Sequence, residues 1–237
     1  MQDPLFIGQL LAGRDFGTQD PVARQMQNFV YLIGDRDKRE CLVVDPAWDV
    51  AGILDAAAAR DLEVVGALIT HWHPDHVGGA LMGHDVEGLP RFLELQSCPV
   101  YVHEGDVAFV KMMTGLGDAE ITVVRSGDTV KAGDVEVECL HTPGHTEGSQ
   151  CFRCGKALVA GDTLFLDGCG RTDFPGGDTE EMWRTLYERL LALPADLVLY
   201  PGHDYGDKPH APLEEVRRTN RMLQTPRYED FVRLRGG

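Results

Sequence analysis

Short apolar runs, each about the length of a β-strand and each closed by a small or polar residue, recur along the chain. Residues 29–33, 41–44, 64–70 and 100–102 make a first series, and residues 135–140, 156–160 and 197–200 a second. Between and after them, residues 50–60 (following Asp45-Pro46), 89–95, 179–193 and 212–223 carry apolar positions at helical spacing and predict helices. The segment Asp134-Val135-Glu136-Val137-Glu138 alternates strictly, which predicts a strand with one face in water. Residues 64–69 are almost continuously apolar, which predicts burial on both faces. Two sheets with helices outside them satisfy both signals. Neither a linker nor an internal repeat interrupts the pattern, and Gly176-Gly177 lies in a turn-rich stretch, so residues 1–237 read as one domain.

Composition narrows what such a domain can do. The chain has 237 residues, enough for a full core, with 43% hydrophobic and 25% charged residues. Its formal net charge of −16 opposes phosphate backbones and anionic membrane surfaces, so neither nucleic acid nor membrane is expected as a partner. A small anionic substrate would have to rely on local Arg or Lys and on a metal ion. The six cysteines are scattered, the first eleven residues do not read as a signal peptide, and no stretch is long enough to span a bilayer. Reduced thiols and a cytoplasmic location are the expectation.

Chemistry concentrates at Thr70-His71-Trp72-His73-Pro74-Asp75-His76, directly after the buried-strand run. His71 and His73 can approach one ion from the turn, while Asp75 and His76 open the next helix and can face a second, with Pro74 stiffening the turn between them. Imidazole together with carboxylate suits zinc, iron or manganese. Three further segments repeat the arrangement of strand, small residue and ligand: Pro143-Gly144-His145, Ala160-Gly161-Asp162 and Pro201-Gly202-His203. Any one of these alone would read as an ordinary turn. Their recurrence after successive strands points to one shared metal site.

These motifs resemble those of the metallo-β-lactamase superfamily, T-H-x-H-x-D-H followed by separate His, Asp and His ligands, over nearly the whole chain. The resemblance implies an α/β fold, the four-layer αββα sandwich, with metal at one edge between the sheets. It further implies that His71, His73 and His145 hold a first metal, that Asp75, His76 and His203 hold a second, and that Asp162 bridges them.

Two branches of that family fit. Thr142-Pro143-Gly144-His145-Thr146 with Gly161-Asp162-Thr163-Leu164-Phe165 is similar to glyoxalase II, a thioester hydrolase with two Zn(2+), in which a bridging hydroxide is the nucleophile. Gly168-Cys169-Gly170-Arg171-Thr172-Asp173-Phe174, with His203-Asp204-Tyr205, Glu214-Glu215 and Asn220, resembles the persulfide dioxygenases more closely. That resemblance implies one Fe(2+) per chain on His71, His145 and Asp162, a facial triad with open positions for oxygen chemistry. The implied reaction is oxidation of glutathione persulfide by O2 to sulfite and glutathione, with Arg171 holding a substrate carboxylate and Tyr205 donating a hydrogen bond. His73, Asp75, His76 and His203 would then support the iron ligands without binding metal. A homodimer is the expected assembly. This chain departs from the dioxygenase pattern in Val77-Gly78-Gly79 and in an insertion at 83–97, which is expected to pack as a surface helix or to cover the cleft.

The remaining candidates carry weaker signals. Cys151-x-x-Cys154 lacks the second pair of a zinc site and is expected to be structural. His84, His103 and His210 are expected at the surface or in turns, His141 is not expected to bind metal, and Trp48 and Trp72 are expected to pack near the site or the sheet. Arg217-Arg218 is expected to form a solvated helix face.

Overall fold

The computed structural model describes residues 4–235. A first sheet has the strand order β1 (Leu5–Leu11), β2 (Phe29–Asp35), β3 (Glu40–Val44), β4 (Glu63–Leu68), β7 (Val100–His103) and β8 (Ile121–Val124). Its first three strands are antiparallel, and β3, β4, β7 and β8 run parallel. The second sheet has the order β14 (Ala211–Pro212), β13 (Val198–Pro201), β12 (Ala157–Gly161), β11 (Gln150–Cys154), β10 (Val135–His141) and β9 (Thr129–Ala132). A hairpin of β5 (Gly79–Leu81) and β6 (His84–Val86) stands apart from both.

Alternation along the strands sorts side chains into three apolar clusters. Leu42, Val44 and Leu68 of the first sheet meet Val137, Phe152 and Val159 of the second in the space between the sheets. Their sequence neighbours Cys41, Val43 and Ala67 face outward beneath α2 (Val50–Ala58), α4 (Leu89–Leu95) and α5 (Val107–Thr114). On the far side, Cys151, Leu158 and Leu199 pack under α6 (Thr179–Arg184), α7 (Leu213–Thr219) and α8 (Tyr228–Leu234). The short helices α1 (Pro21–Met26) and α3 (Pro74–Val77) complete the set. The result is the four-layer αββα sandwich. Alternating Val135–His141 is buried on one side, and β2 is buried along its whole length.

Two expected helices are broken, each for a local reason. Residues 179–193 form α6 and then a π-helical segment, Thr185–Leu190, in which the Thr185 hydroxyl donates 2.7 Å to the Pro143 carbonyl. Residues 212–223 stop being helical at Asn220, whose amide donates to the Phe165 and Gly168 carbonyls and whose side-chain oxygen accepts from Met222 N–H. The side chain that ends this helix also fixes the loop after Asp162. Arg217 corrects the solvated-face expectation: its guanidinium donates to the Leu190 and Leu193 carbonyls, closing the C-terminal end of the π-helical segment. In the insertion, α4 buries Leu89 and Phe92 in the outer cluster, so it packs on the body of the domain. Cys151 and Cys154 lie on opposite faces of β11, in different clusters, and cannot share an ion. No helix among the described residues is long and apolar enough to cross a membrane.

Candidate metal centre

The parallel strands β3, β4 and β7 deliver the residues that follow them, Asp45, His71 and Asp106, to one edge of the first sheet. The second sheet delivers His145, Asp162 and His203 to the same edge. Gln150 stitches the two together, its backbone N–H donating to the Thr70 carbonyl and its side chain to the Ile69 carbonyl. Backbone closeness at this edge selects glycine. Gly161 has φ +48, and a Cβ there would stand 2.6 Å from the Thr70 side chain; one on Gly170 would stand 2.8 Å from the His145 ring.

All seven residues expected from the sequence converge here, and all but half-buried Asp162 are buried. Hydrogen bonds at the back of the rings set which nitrogen faces the centre. The Thr70 hydroxyl donates to Asp45 Oδ2 at 2.6 Å, since a carboxylate can only accept, and therefore receives the His71 Nδ1–H at 2.9 Å. His145 Nδ1–H donates to the Arg171 carbonyl at 2.6 Å, and His203 Nδ1–H to the Met26 carbonyl at 2.8 Å. Each bond leaves Nε2 with a lone pair turned inward. His71 Nε2, His73 Nε2, His145 Nε2 and Asp162 Oδ1 are buried without a hydrogen-bond partner. Four orphaned metal-competent atoms in one place are costly unless an ion satisfies them, so this donor set fits a metal.

The residues separate into two groups. Ligand atoms of His71, His73 and His145 lie within 4.8 Å of one another, as do those of Asp75, His76 and His203. Asp162 stands between the groups, 3.7 Å from His145 Nε2, 3.5 Å from His76 Nε2 and 3.3 Å from His203 Nε2. In the second group His76 Nε2 lies 3.3 Å from His203 Nε2 and 3.5 Å from Asp75, and the Asn28 amide donates to Asp75 Oδ2 at 3.0 Å; the two Nε2 atoms bond to each other when one of the rings carries a second proton.

Electrostatics follow the same division. Burial and the neighbouring imidazoles hold His71 well below the ordinary histidine pKa and bring His73 down to about 3, so both rings are neutral and able to bind metal. Burial opposes charge on His76 as well, but Asp75, Asp162 and Asp45 outweigh it and raise the ring to about 10. His203 is raised in the same way, chiefly by Asp162 against the cost of burial.

Three supporting residues were not singled out by the sequence. Asp45 accepts from Thr70 N–H, the Thr70 hydroxyl and His76 Nδ1–H. Asn28 joins Asp75 to the Trp48 indole N–H, which it accepts at 3.0 Å. Asp106 accepts from Trp72 N–H, Gly148 N–H and the Thr146 hydroxyl, joining the loops that carry His71 and His145. Asp45 and Asn28 flank the strand residues Val44 and Phe29, and Asp106 follows His103 by three residues, positions that alone carry no mark of the partner.

A cleft of about 510 Å³ opens over both groups, lined by His73, Asp75, His145, Asp162, Arg171, Phe174, His203 and Tyr205 among others. Arg171 is at its rim in a bidentate pair with Asp173, and Tyr205 stacks on the His203 ring at 4.6 Å. His103 corrects a surface expectation: it is buried and stacks on His141 with ring centroids 4.0 Å apart. His84 is half-buried, bonded to Asp20 and stacked on Trp48, whereas His210 is exposed.

The Metallo-beta-lactamase superfamily pattern matches residues 23–203. The chain belongs to that superfamily. It is 33% identical over 213 residues to the mitochondrial persulfide dioxygenase ETHE1 of Homo sapiens, covering 88% of this chain and 76% of that protein. Over 208 residues it is 30% identical to the probable polyketide biosynthesis zinc-dependent hydrolase BaeB of Bacillus velezensis, covering 88% and 87%. Among solved structures, ETHE1 from Myxococcus xanthus superimposes with a TM-score of 0.77 at 28% identity, covering 98% of this chain and 90% of that one. The protein is a metal-dependent enzyme of this superfamily.

Proposed function

We propose that the protein is a persulfide dioxygenase with one iron(II) per chain, held by His71, His145 and Asp162, and that it oxidises a small thiol persulfide. Glutathione persulfide, the substrate named by the sequence resemblance, represents the class. The overall change is RSSH + O2 + H2O giving RSH, sulfite and two protons. The observation that carries this reading is the division of the site: the orphaned atoms belong to His71, His73, His145 and Asp162, while Asp75, His76 and His203 are occupied with one another and with Asn28. One ion held by His71, His145 and Asp162 satisfies three of these four atoms, leaves His73 Nε2 open to the cleft, and leaves the second group as support. Similarity to the ETHE1 proteins favours the same reading.

Bound iron(II) supplies open coordination positions where a persulfide and O2 can meet. The chain's residues supply the rest. Bonds from Nδ1 to Thr70 and to the Arg171 carbonyl hold His71 and His145 in one tautomer. His73, buried in the cleft wall with Nε2 unpartnered and its ring kept neutral by burial, is placed to accept a hydrogen bond from the incoming persulfide. Arg171 is the one Lys or Arg side chain lining the cleft among the described residues and is the group for a substrate carboxylate, while the Tyr205 hydroxyl donates a hydrogen bond. Trp72, stacked on Phe109 at 4.8 Å, forms an apolar wall that limits water near the reacting sulfur.

A second reading, a two-zinc thioester hydrolase, is favoured by the closeness of Asp75, His76 and His203 and by the similarity to the zinc-dependent hydrolase. An oxygen electrode with sulfite quantitation tests the two. The dioxygenase gives one sulfite per O2 consumed from a thiol persulfide. Cleavage of a thioester such as S-lactoylglutathione without oxygen uptake contradicts it.

A further inference from the structure

Ala80, Leu81 and Met82 of the β5–β6 hairpin line the cleft above the metal ligands, together with Met26 of α1. Leu81 pairs with His84 across a two-residue turn, Met82-Gly83, in which both φ angles are positive, +49 and +86. Such a tight turn matches the twist of the strands, and it leaves Met82 91% exposed at the tip. Two strands alone are marginal, so the hairpin keeps its place through its attachments.

The base of the hairpin is fixed through the backbone. A Cβ on Gly88 would stand 2.2 Å from the Val77 carbonyl oxygen. Trp48 N–H donates to the Glu87 carbonyl at 2.8 Å, and the Glu87 carboxylate accepts the Val50 N–H at 2.8 Å. Farther out, Leu81 packs partly on the outer apolar cluster, and the rest depends on His84. Among the described residues 79–86 its side chain alone makes a hydrogen bond, from Nε2–H to Asp20 Oδ2 at 2.8 Å, and its ring lies 6.0 Å from that of Trp48 between centroids. The two side chains are 34% and 26% exposed, so water competes for this bond less than for the exposed pairs of the surface. Asp20 Oδ1 meanwhile caps α1, accepting Val22 N–H at 2.8 Å and Ala23 N–H at 3.2 Å. One carboxylate therefore ties the helix that carries Met26 to the hairpin that carries Leu81 and Met82.

We infer that His84 is a positioning residue for the substrate: its bond to Asp20 holds the β5–β6 hairpin beside α1, so that Met26, Leu81 and Met82 close as one wall on the substrate near its sulfur. Arg171 at the rim remains the group for the substrate carboxylate, and the wall gains from the methylene groups it covers. The choice of assay substrate rests on the dioxygenase reading, whereas the latch rests on the geometry of the hairpin.

Amide hydrogen exchange and steady-state kinetics on the full-length, metal-loaded enzyme test the latch. In His84→Ala, exchange across residues 79–86 is expected to quicken about tenfold, with the melting temperature near that of the wild type. With the substrate that the wild type turns over, glutathione persulfide or S-lactoylglutathione, KM is expected to rise about fivefold and kcat to stay within about twofold. His84→Gln, which keeps a donor for Asp20, should restore most of the KM. Unchanged exchange in His84→Ala overturns the inference, as does a loss confined to kcat, which would place the effect at the metal centre through Trp48 and Asn28. Turnover of the thioester without oxygen uptake contradicts the dioxygenase reading, while the KM ratio still decides the role of His84. If the wild type turns over neither compound, that reading fails and the exchange result decides the role of His84 by itself.

Discussion

Asp106 holds Thr146 by a 2.7 Å hydrogen bond from the threonine hydroxyl to its Oδ2, and the same oxygen accepts the Trp72 backbone N–H at 3.1 Å. One buried carboxylate thereby joins the residue after His71 to the residue after His145, across the two sheets. Its other oxygen takes the Gly148 N–H at 2.7 Å. Asp106→Ala removes the shared acceptor and leaves these donors buried, which should cost about 3 kcal/mol of unfolding free energy. Chemical denaturation checks the loss. Metal retention in a chelator competition should fall with it, because both ligand loops lose their common anchor.

The same carboxylate makes stability depend on pH. Burial, only partly offset by the Thr146, Gly148 and Trp72 donors, raises Asp106 from the ordinary 3.8 to about 6. Its folded pKa then exceeds its unfolded one, so between these values the folded state binds more protons and is favoured as pH falls. This contribution is fully present below about pH 4 and lost as pH rises through about 6. The stability of wild type relative to Asp106→Ala should therefore increase from pH 6 to pH 4. Melting curves of both proteins at matched pH give the difference, and a gap that narrows over that range contradicts the assignment.

Arg217 closes the π-helical segment through the Leu190 and Leu193 carbonyls. Arg217→Ala should cost about 1 kcal/mol of stability, the usual net value of such bonds, and leave oxygen uptake unchanged, since the residue is remote from the cleft. Denaturant titration paired with the activity assay separates these effects.

The ligands were legible in the sequence because each closes an apolar strand: His71 follows β4, His145 follows β10, Asp162 follows β12 and His203 follows β13. A strand edge and a ligand type together make a local signal. Strands with mixed composition were not legible. Leu5–Leu11 contains Gly8 and Gln9, and Thr129–Ala132 contains Thr129 and Lys131, which weakens the apolar run although tertiary pairing holds both in sheets. Helix breaks at Thr185 and Asn220 were hidden because they depend on partners far along the chain, Pro143 for one and Phe165 with Gly168 for the other. Asp45, Asn28 and Asp106 likewise show their roles only when the loops meet, since a single carboxylate or amide beside a strand carries no mark of what it will bind. His103 reads as a surface residue until β10 brings His141 against it.

The division of the site into orphaned and occupied ligand atoms is tested most directly by metal content per chain in the wild type and in His203→Ala, from cells grown without metal supplementation. One iron per chain in the wild type, retained in His203→Ala, is the predicted result. Two zinc ions per chain in the wild type, with one lost in His203→Ala, would contradict the one-iron account and establish the second group as a metal site.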